Sequence, residues 1–142
     1  MIGGWRENFF TAYGIAQAHG RALATRHLRE GYDVVLPQLV TSHDRGPGFE
    51  EAAREAGATY IEVVLLVDDD QHLQRLRAKQ ATNEVEARIQ AMLEDPDSDL
   101  IGKIRRHLAQ YLGDRPHTIR LDTTGLGEDE AYARLLSALA AT

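Results

Sequence analysis

The chain has 142 residues, 43% of them hydrophobic, and a formal net charge of −6. This length predicts one domain with one core, and the acidic balance argues against a nucleic-acid-binding surface. The lack of cysteine excludes disulfides and cysteine-ligated metals, and no apolar run approaches the roughly 20 residues that cross a bilayer. The first ten residues have no basic-then-apolar signal pattern, so we expect a cytoplasmic protein without nucleic-acid or membrane partners.

The first predicted element is a helix from Phe10 to Arg29, which Gly31 ends. The short apolar run YDVVLPQLV follows and predicts a strand buried on both faces, as in parallel sheets. Residues 48–56 predict a short amphipathic helix. The run TYIEVVLLVDDD predicts the second strand, and one of its three final aspartates is placed to cap the next helix.

That next helix starts near Gln71 and contains HLQRLRAKQ, and a second helical pattern follows in EVEARIQAML. Ser98 or Asp99 is the predicted cap of a further helix over residues 100–112. HTIRLDTT predicts a third, more polar strand, and EDEAYARLLSALAAT predicts a closing helix. Because strands alternate with helices, we expect an α/β fold with a parallel sheet of about three strands flanked by helices on both faces.

Polar side chains follow the first predicted strand. Ligands of open α/β sheets bind at the carboxyl ends of the strands, so this stretch is a candidate site. The stretch is either such a site or a solvated polar loop, and His43 beside Asp44 is either a general base or an ordinary loop histidine. The candidate side chains are Gln38, Thr41, Ser42, His43, Asp44 and Arg45.

The succession of AxxHLxxG, YDVVLPQ, AGATYIEVVLL and RLRAK resembles bacterial small P-loop kinases. These are AAA-family ATPase-like proteins of the P-loop NTPase superfamily, similar to chloramphenicol phosphotransferase and gluconate kinase, and the likeness runs from about Ile2 to the end. It implies ATP and Mg²⁺ as cofactors, a small-molecule substrate, and a helical lid whose cations contact the transferred phosphate. The segment that matches the lid is RLRAKQATNEVEAR. Alternatively, this segment is a solvated helix face of mixed charge without a binding role. The phosphate-binding candidates that it provides are Arg75, Arg77, Lys79 and Arg88.

The family's phosphate-binding loop, GxxxxGK[ST], does not occur in these residues. The one Gly-Lys pair is Gly102-Lys103, with Asp97 and Ile104 at positions that require glycine and Ser or Thr. The chain therefore resembles a single P-loop kinase domain, residues 1–142, that lacks its first strand, phosphate loop, first helix and second strand. In the family sheet the missing first strand lies between Val34–Leu36 and Ile61–Leu66.

Three arrangements would give the two strands beside that gap hydrogen-bond partners for their backbone groups. In the first, which we expect, the gene encodes further residues upstream and Met1 is an internal methionine. In the second the two strands pair directly, and in the third another chain fills the gap. We therefore predict that the chain is the C-terminal portion of an ATP-dependent small-molecule kinase. These 142 residues alone are expected to be inactive and not to bind ATP tightly. The alternative is a non-catalytic α/β module that forms homo-oligomers through the vacated sheet position. The histidines lack metal-site spacing, so no metal site is expected, and no catalytic residue is assigned.

Overall fold

A computed structural model of the chain describes residues 9–38, 47–95 and 97–142. The chain divides into two compact units, Met1–Tyr60 and Ile61–Thr142. The expectation of one domain stays a prediction. Within the described residues, no helix combines the length and the apolar character needed to cross a membrane.

The first unit contains two helices, α1 (Phe9–Arg29) and α2 (Pro47–Ala56), which pack against each other. Small side chains are buried on both helices, Ala24 on α1 and the adjacent Ala52 and Ala53 on α2. These side chains allow the helices to approach closely. Both helices confirm the predictions from sequence, with bounds that differ by one residue at the start.

Glycines end both helices through the same hydrogen-bond pattern. Gly31 has a φ of 85°, its N–H donates to the carbonyl of Leu28 at 3.0 Å, and the N–H of Tyr32 donates to the carbonyl of His27 at 3.2 Å. This pair of bonds is the Schellman motif, which requires the left-handed conformation that glycine adopts at little cost. Gly57 ends α2 in the same way. The predicted helix stop at Gly31 is confirmed.

The strand predicted at YDVVLPQLV is not formed in its described part, residues 32–38. These residues pair with no other strand there, and Val35 is 90% exposed. Apolar β-branched residues favour a strand only where a neighbouring strand supplies hydrogen-bond partners and a surface to pack against. The sheet therefore has two strands in the described residues, β1 (Val63–Leu66) and β2 (Ile119–Asp122), rather than about three.

The second unit is an α/β arrangement around the strands β1 and β2. The two strands are parallel, with Val63 opposite Ile119 and Leu66 opposite Asp122, which confirms a parallel sheet for the second and third predicted strands. Two parallel neighbouring strands need a long crossover connection, because the end of the first strand and the start of the second lie at opposite edges of the sheet. Three helices form this crossover, and a fourth follows β2: α3 (Asp69–Ala78), α4 (Glu84–Glu94), α5 (Leu100–Gly113) and α6 (Glu128–Ala140).

Helix caps agree only in part with the predictions. Asp68 caps α3, because its Oδ1 accepts a hydrogen bond from the N–H of Gln71 at 2.8 Å. Of the two predicted caps of α5, Ser98 Oγ accepts a hydrogen bond from the N–H of Leu100 at 3.4 Å. Asp99 occupies the cap position but has a φ of 40°, and its side chain accepts no capping hydrogen bond. Its carboxylate instead pairs with Arg106 at 3.0 Å.

The core of the second unit centres on the last turns of α5. Tyr111 and Leu112 are buried there, and Thr118 and Thr123 are buried on either side of β2. In the part of the chain that the structure describes, no large side chain is completely enclosed. Among the described residues, few apolar side chains are therefore buried.

Candidate phosphate-binding lid and strand ends

The carboxyl ends of β1 and β2 lie at one edge of the sheet because the strands are parallel. The N–H and the Oγ1 of Thr123, which follows β2, both donate to the carbonyl of Leu66 at 2.8 Å. The N–H of Asp68, which follows β1, donates to Oγ1 of Thr124 at 3.0 Å. Two threonines therefore join the strand ends at the edge where ligands of α/β sheets bind.

Arg75 connects α3 to the loop between β2 and α6. Its Nη2 donates to Gln71 Oε1 at 3.0 Å, to the carbonyl of Leu126 at 3.1 Å and to the carbonyl of Thr123 at 3.4 Å. Gln71 Oε1 also accepts a hydrogen bond from the N–H of Gly125 at 3.0 Å. One terminal nitrogen of this guanidinium is thus occupied by groups of the chain itself.

Asp122 is an ionised carboxylate at the end of β2. Hydrogen bonds from the side chain and the backbone of Thr124 hold the pKa of Asp122 below its ordinary value, and the positive charge of Arg134 adds to the effect. The backbone bond is 2.9 Å long. Negative charge therefore stays at this strand end at neutral pH.

Glu86 organises the turn between α3 and α4. Its Oε2 accepts hydrogen bonds from the N–H and the Oγ1 of Thr82, each 2.8 Å long, and its Oε1 lies 2.7 Å from Lys79 Nζ. These contacts with Lys79 and Thr82 lower the pKa of Glu86 to about 2. Asn83 caps α4 by accepting a hydrogen bond from the N–H of Glu86 at 3.0 Å. The turn of the predicted lid is therefore fixed by a charged pair within it.

A groove of about 220 Å³ lies between α3 and α4. Leu76 and Arg77 of α3 line one side, and Gln90, Leu93 and Glu94 of α4 line the other. Its surface combines two leucines with three polar side chains. Arg77 is exposed, so its guanidinium is accessible to solvent beside the groove.

The lid candidates separate into two kinds. Arg75 and Lys79, which the spacing places on one helical face, contact a distant loop and the neighbouring turn respectively. Arg77 and Arg88 are exposed, and no carboxylate of the described residues forms an ion pair with either of them. They are the cations of the segment that can contact an external anion without giving up an internal partner.

The candidates after the first predicted strand lie mostly outside the described residues. Gln38 is described and is half-buried. The structure does not describe Thr41, Ser42, His43, Asp44 and Arg45. Their predicted role at a strand end stays a prediction.

Sequence reasoning missed a polar cluster at the amino-terminal ends of β1 and β2. Glu62 Oε1 accepts a hydrogen bond from Tyr111 at 2.5 Å, and Oε2 accepts bonds from Arg115 Nε and Thr118 Oγ1, each 2.6 Å long. Burial favours the neutral form of Glu62, but these hydrogen bonds and the charge of Arg115 outweigh it and lower the pKa of the carboxyl. The glutamate inside the apolar run TYIEVVLL was the signal that could have revealed the cluster.

Comparison with known proteins finds no family model, no curated protein and no solved structure that matches the chain. No group of three or more potential metal-ligating side chains comes together in the ranges 9–38, 47–95 and 97–142. Function is therefore inferred from the sequence pattern and from the geometry of the strand ends and the lid.

Proposed function

We propose that this chain is the C-terminal portion of an ATP-dependent phosphotransferase of the P-loop kinase type that acts on a small hydroxylated molecule. The connection between a parallel strand and a cationic helical segment carries this proposal. β1 ends at Leu66 and α3 begins at Asp69, at the edge of the sheet where ligands bind. The helices α3 and α4 then present Arg77 and Arg88 as exposed cations.

The proposed role of Arg77 and Arg88 is to compensate the negative charge of the transferred phosphoryl group. Phosphoryl transfer depends on positioning and on charge stabilisation, both of which gain strength where water is excluded. A guanidinium suits this task because it stays charged and offers a rigid fork of donors to phosphate oxygens. Arg75 and Lys79 are positioning residues, since their contacts with Leu126 and Glu86 hold the lid helices in place.

ATP and Mg²⁺ enter the proposed function through the family resemblance, and the residues of this chain fit them only in part. The exposed arginines suit phosphate oxygens. The loop whose N–H groups wrap the phosphates does not occur in the sequence. Bound ATP would supply the phosphoryl group, while these residues supply charge compensation and positioning. An upstream segment of the same polypeptide that provides the GxxxxGK[ST] loop is therefore part of the proposed protein.

Phosphotransfer by the full-length gene product tests the proposed function. Transfer of labelled phosphate from ATP to a panel of small alcohols, sugars and nucleosides identifies the acceptor. With that acceptor, Arg77→Ala and Arg88→Ala are each expected to lower kcat by about 100-fold, with a smaller change in KM, because the lost contact acts mainly in the transition state.

Arg29→Ala is the matched control, since Arg29 is an exposed arginine in the last turn of α1. It is expected to leave kcat unchanged. Two results would overturn the proposal. One is an upstream reading frame without a GxxxxGK[ST] motif, and the other is full kcat in the variant that lacks both Arg77 and Arg88.

A further inference from the structure

The groove between α3 and α4 carries opposite charges on its two walls. Arg77 of α3 lines one side, and Glu94 of α4 lines the other. Both residues are exposed, and no ion pair among the described residues includes either of them. Lys79 and Glu86, by contrast, pair with each other at the turn of the same two helices. The walls of the groove therefore present one cation and one anion that can each bind a charged group of a ligand.

Gln90 supplies a second hydrogen-bond acceptor on the α4 wall. Its Nε2 donates to the carbonyl of Lys79, which orients the amide, and no other hydrogen bond of this side chain is formed within the described residues. Gln90 and Glu94 are four residues apart on one helix, and side chains at this spacing are neighbours on its surface. The α4 wall thus offers an amide oxygen beside a carboxylate. Acceptors of this kind suit the three N–H donors of an ammonium group.

The size and the apolar part of the groove limit the ligand further. Leu76 and Leu93, which are both half-buried, supply the apolar surface. The volume of about 220 Å³ corresponds to about seven water molecules at about 30 Å³ each. Pockets that enclose drug-sized ligands are larger, roughly 300–1,000 Å³. The groove therefore suits a molecule with a short carbon chain and is too small to enclose a nucleoside.

We propose that the groove binds a small amino alcohol in its phosphorylated form, with its ammonium at Glu94 and Gln90 and its phosphate at Arg77. The short carbon chain contacts the two leucines, and the guanidinium fork matches the phosphate oxygens. This inference names the acceptor class of the proposed function and rests on it for the reaction. There the hydroxyl oxygen of the amino alcohol forms the new bond to the γ-phosphorus of ATP, ADP leaves, and the hydroxyl proton passes to water.

Alkyl phosphates with and without an ammonium group test the site on the chain itself. Aminoethyl, aminopropyl and aminobutyl phosphate are titrated separately, because the span between the two charges sets the best chain length. Propyl phosphate is the probe without the ammonium, and backbone amide shifts in NMR spectra give the dissociation constants. At least one aminoalkyl phosphate is expected to bind at least about fivefold more tightly than propyl phosphate, because only it contacts both charged walls. Equal affinities, or no binding of any probe, would overturn the inference.

Two substitutions test which wall binds which charge. Glu94→Gln is expected to remove the preference for the ammonium and to leave the affinity for propyl phosphate within about twofold. Arg77→Ala is expected to weaken both kinds of phosphate at least about fivefold. Glu55→Gln is the matched control, since it makes the same change at an exposed glutamate near the end of α2, and it should keep the preference. A preference that survives Glu94→Gln would place the ammonium elsewhere and overturn the assignment.

Phosphotransfer by the full-length gene product separates this inference from the proposed function. Amino alcohols are expected to have a lower KM than alcohols of the same length without the amine, and Glu94→Gln is expected to abolish the difference. Transfer without preference for the amine would overturn the inference and leave the proposed function standing. Failure of transfer to every acceptor would count against the proposed function, and the binding comparison would still decide whether the groove holds an aminoalkyl phosphate.

Discussion

Two carboxylates of the second unit, those of Glu62 and Glu86, each accept several hydrogen bonds. Glu62 joins β1 to α5 by accepting hydrogen bonds from Tyr111 and Arg115, and Glu86 organises the turn of the lid. In both cases the ionised carboxylate accepts several hydrogen bonds, which favours the charged form over the neutral one. The pKa of each group is lowered as a result.

Replacement of Glu62 tests its contribution to stability. Glu62→Gln is expected to lower the free energy of unfolding by about 1–3 kcal/mol, because the amide NH₂ would face a donor, either Tyr111 or Arg115 with Thr118, and leave it unsatisfied. Urea unfolding followed by circular dichroism measures the change. Glu94→Gln makes the same chemical change at an exposed position near the end of α4 and is expected to stay within about 0.5 kcal/mol of the native chain. A Glu62→Gln chain as stable as this control would contradict the role of the cluster.

The lowered pKa values of Glu62 and Glu86 determine how the stability of the chain should respond to acid. Glu62 and Glu86 have pKa values below 4.5 in the folded chain, so each binds a proton more weakly when folded than when unfolded. Their contribution is complete above a pH of about 4.5 and is lost as the pH falls through the folded values. We expect the free energy of unfolding to decrease across this acid range and to decrease less steeply in Glu62→Gln. Identical slopes for the two chains would rule out Glu62 as a source of the dependence.

At the scale of secondary structure elements, α1 contains glycine where a helix former is sterically allowed. A Cβ at Gly20 would lie 3.9 Å from Phe49 Cζ of α2, which is an ordinary van der Waals contact. Glycine destabilises a helix interior because it loses more conformational freedom on folding than any other residue does. Gly31 is different, since its φ of 85° is required where α1 ends.

Alanine at these two glycines is therefore expected to have opposite effects on the first unit. Gly20→Ala should raise the free energy of unfolding by about 0.5–1 kcal/mol, and Gly31→Ala should lower it by about 1 kcal/mol. Thermal unfolding followed by helical circular dichroism measures both. Destabilisation by Gly20→Ala would mean that α1 and α2 pack more closely than the distance to Phe49 indicates.

At the scale of the whole molecule, the proposed function needs a loop that wraps phosphates, and the motif GxxxxGK[ST] does not occur in this sequence. Its net charge of −6 also disfavours the approach of a polyanion. The exposed arginines of α3 and α4 offer local cations against this overall balance. Charge compensation without a wrapping loop provides few fixed donors for a nucleotide.

Calorimetry of these residues alone tests that conclusion. Titration of Mg²⁺–ATP is expected to give no saturable heat below about 1 mM, because nucleotide affinity in P-loop proteins depends on the missing loop. Dissociation in the micromolar range would contradict this prediction. Such a result would show that these residues contain a phosphate site, and the Arg77→Ala and Arg88→Ala chains would then test whether the two exposed arginines form it.

Local patterns in the sequence predicted α1 and α2 nearly to the residue. Helical periodicity and the glycine stops at Gly31 and Gly57 depend on neighbours a few residues away, so a linear reading captures them. The runs TYIEVVLL and HTIRLDTT also indicate strands, and the alternation of strands and helices predicts that they run in the same direction, as β1 and β2 do. The apolar run at Val34–Leu36 has a similar composition, yet it remains unpaired within the described residues.

The sequence by itself determined where the helices begin and end, because their hydrogen bonds close within four residues. Only the tertiary structure decided which apolar runs pair as strands and which lid cations stay accessible. These outcomes depend on partners far along the chain, as in the contacts of Arg75 with Leu126 and of Glu62 with Tyr111. A pattern of residue types does not specify such partners, since the free energy of the contact exists only once the fold has brought both groups together.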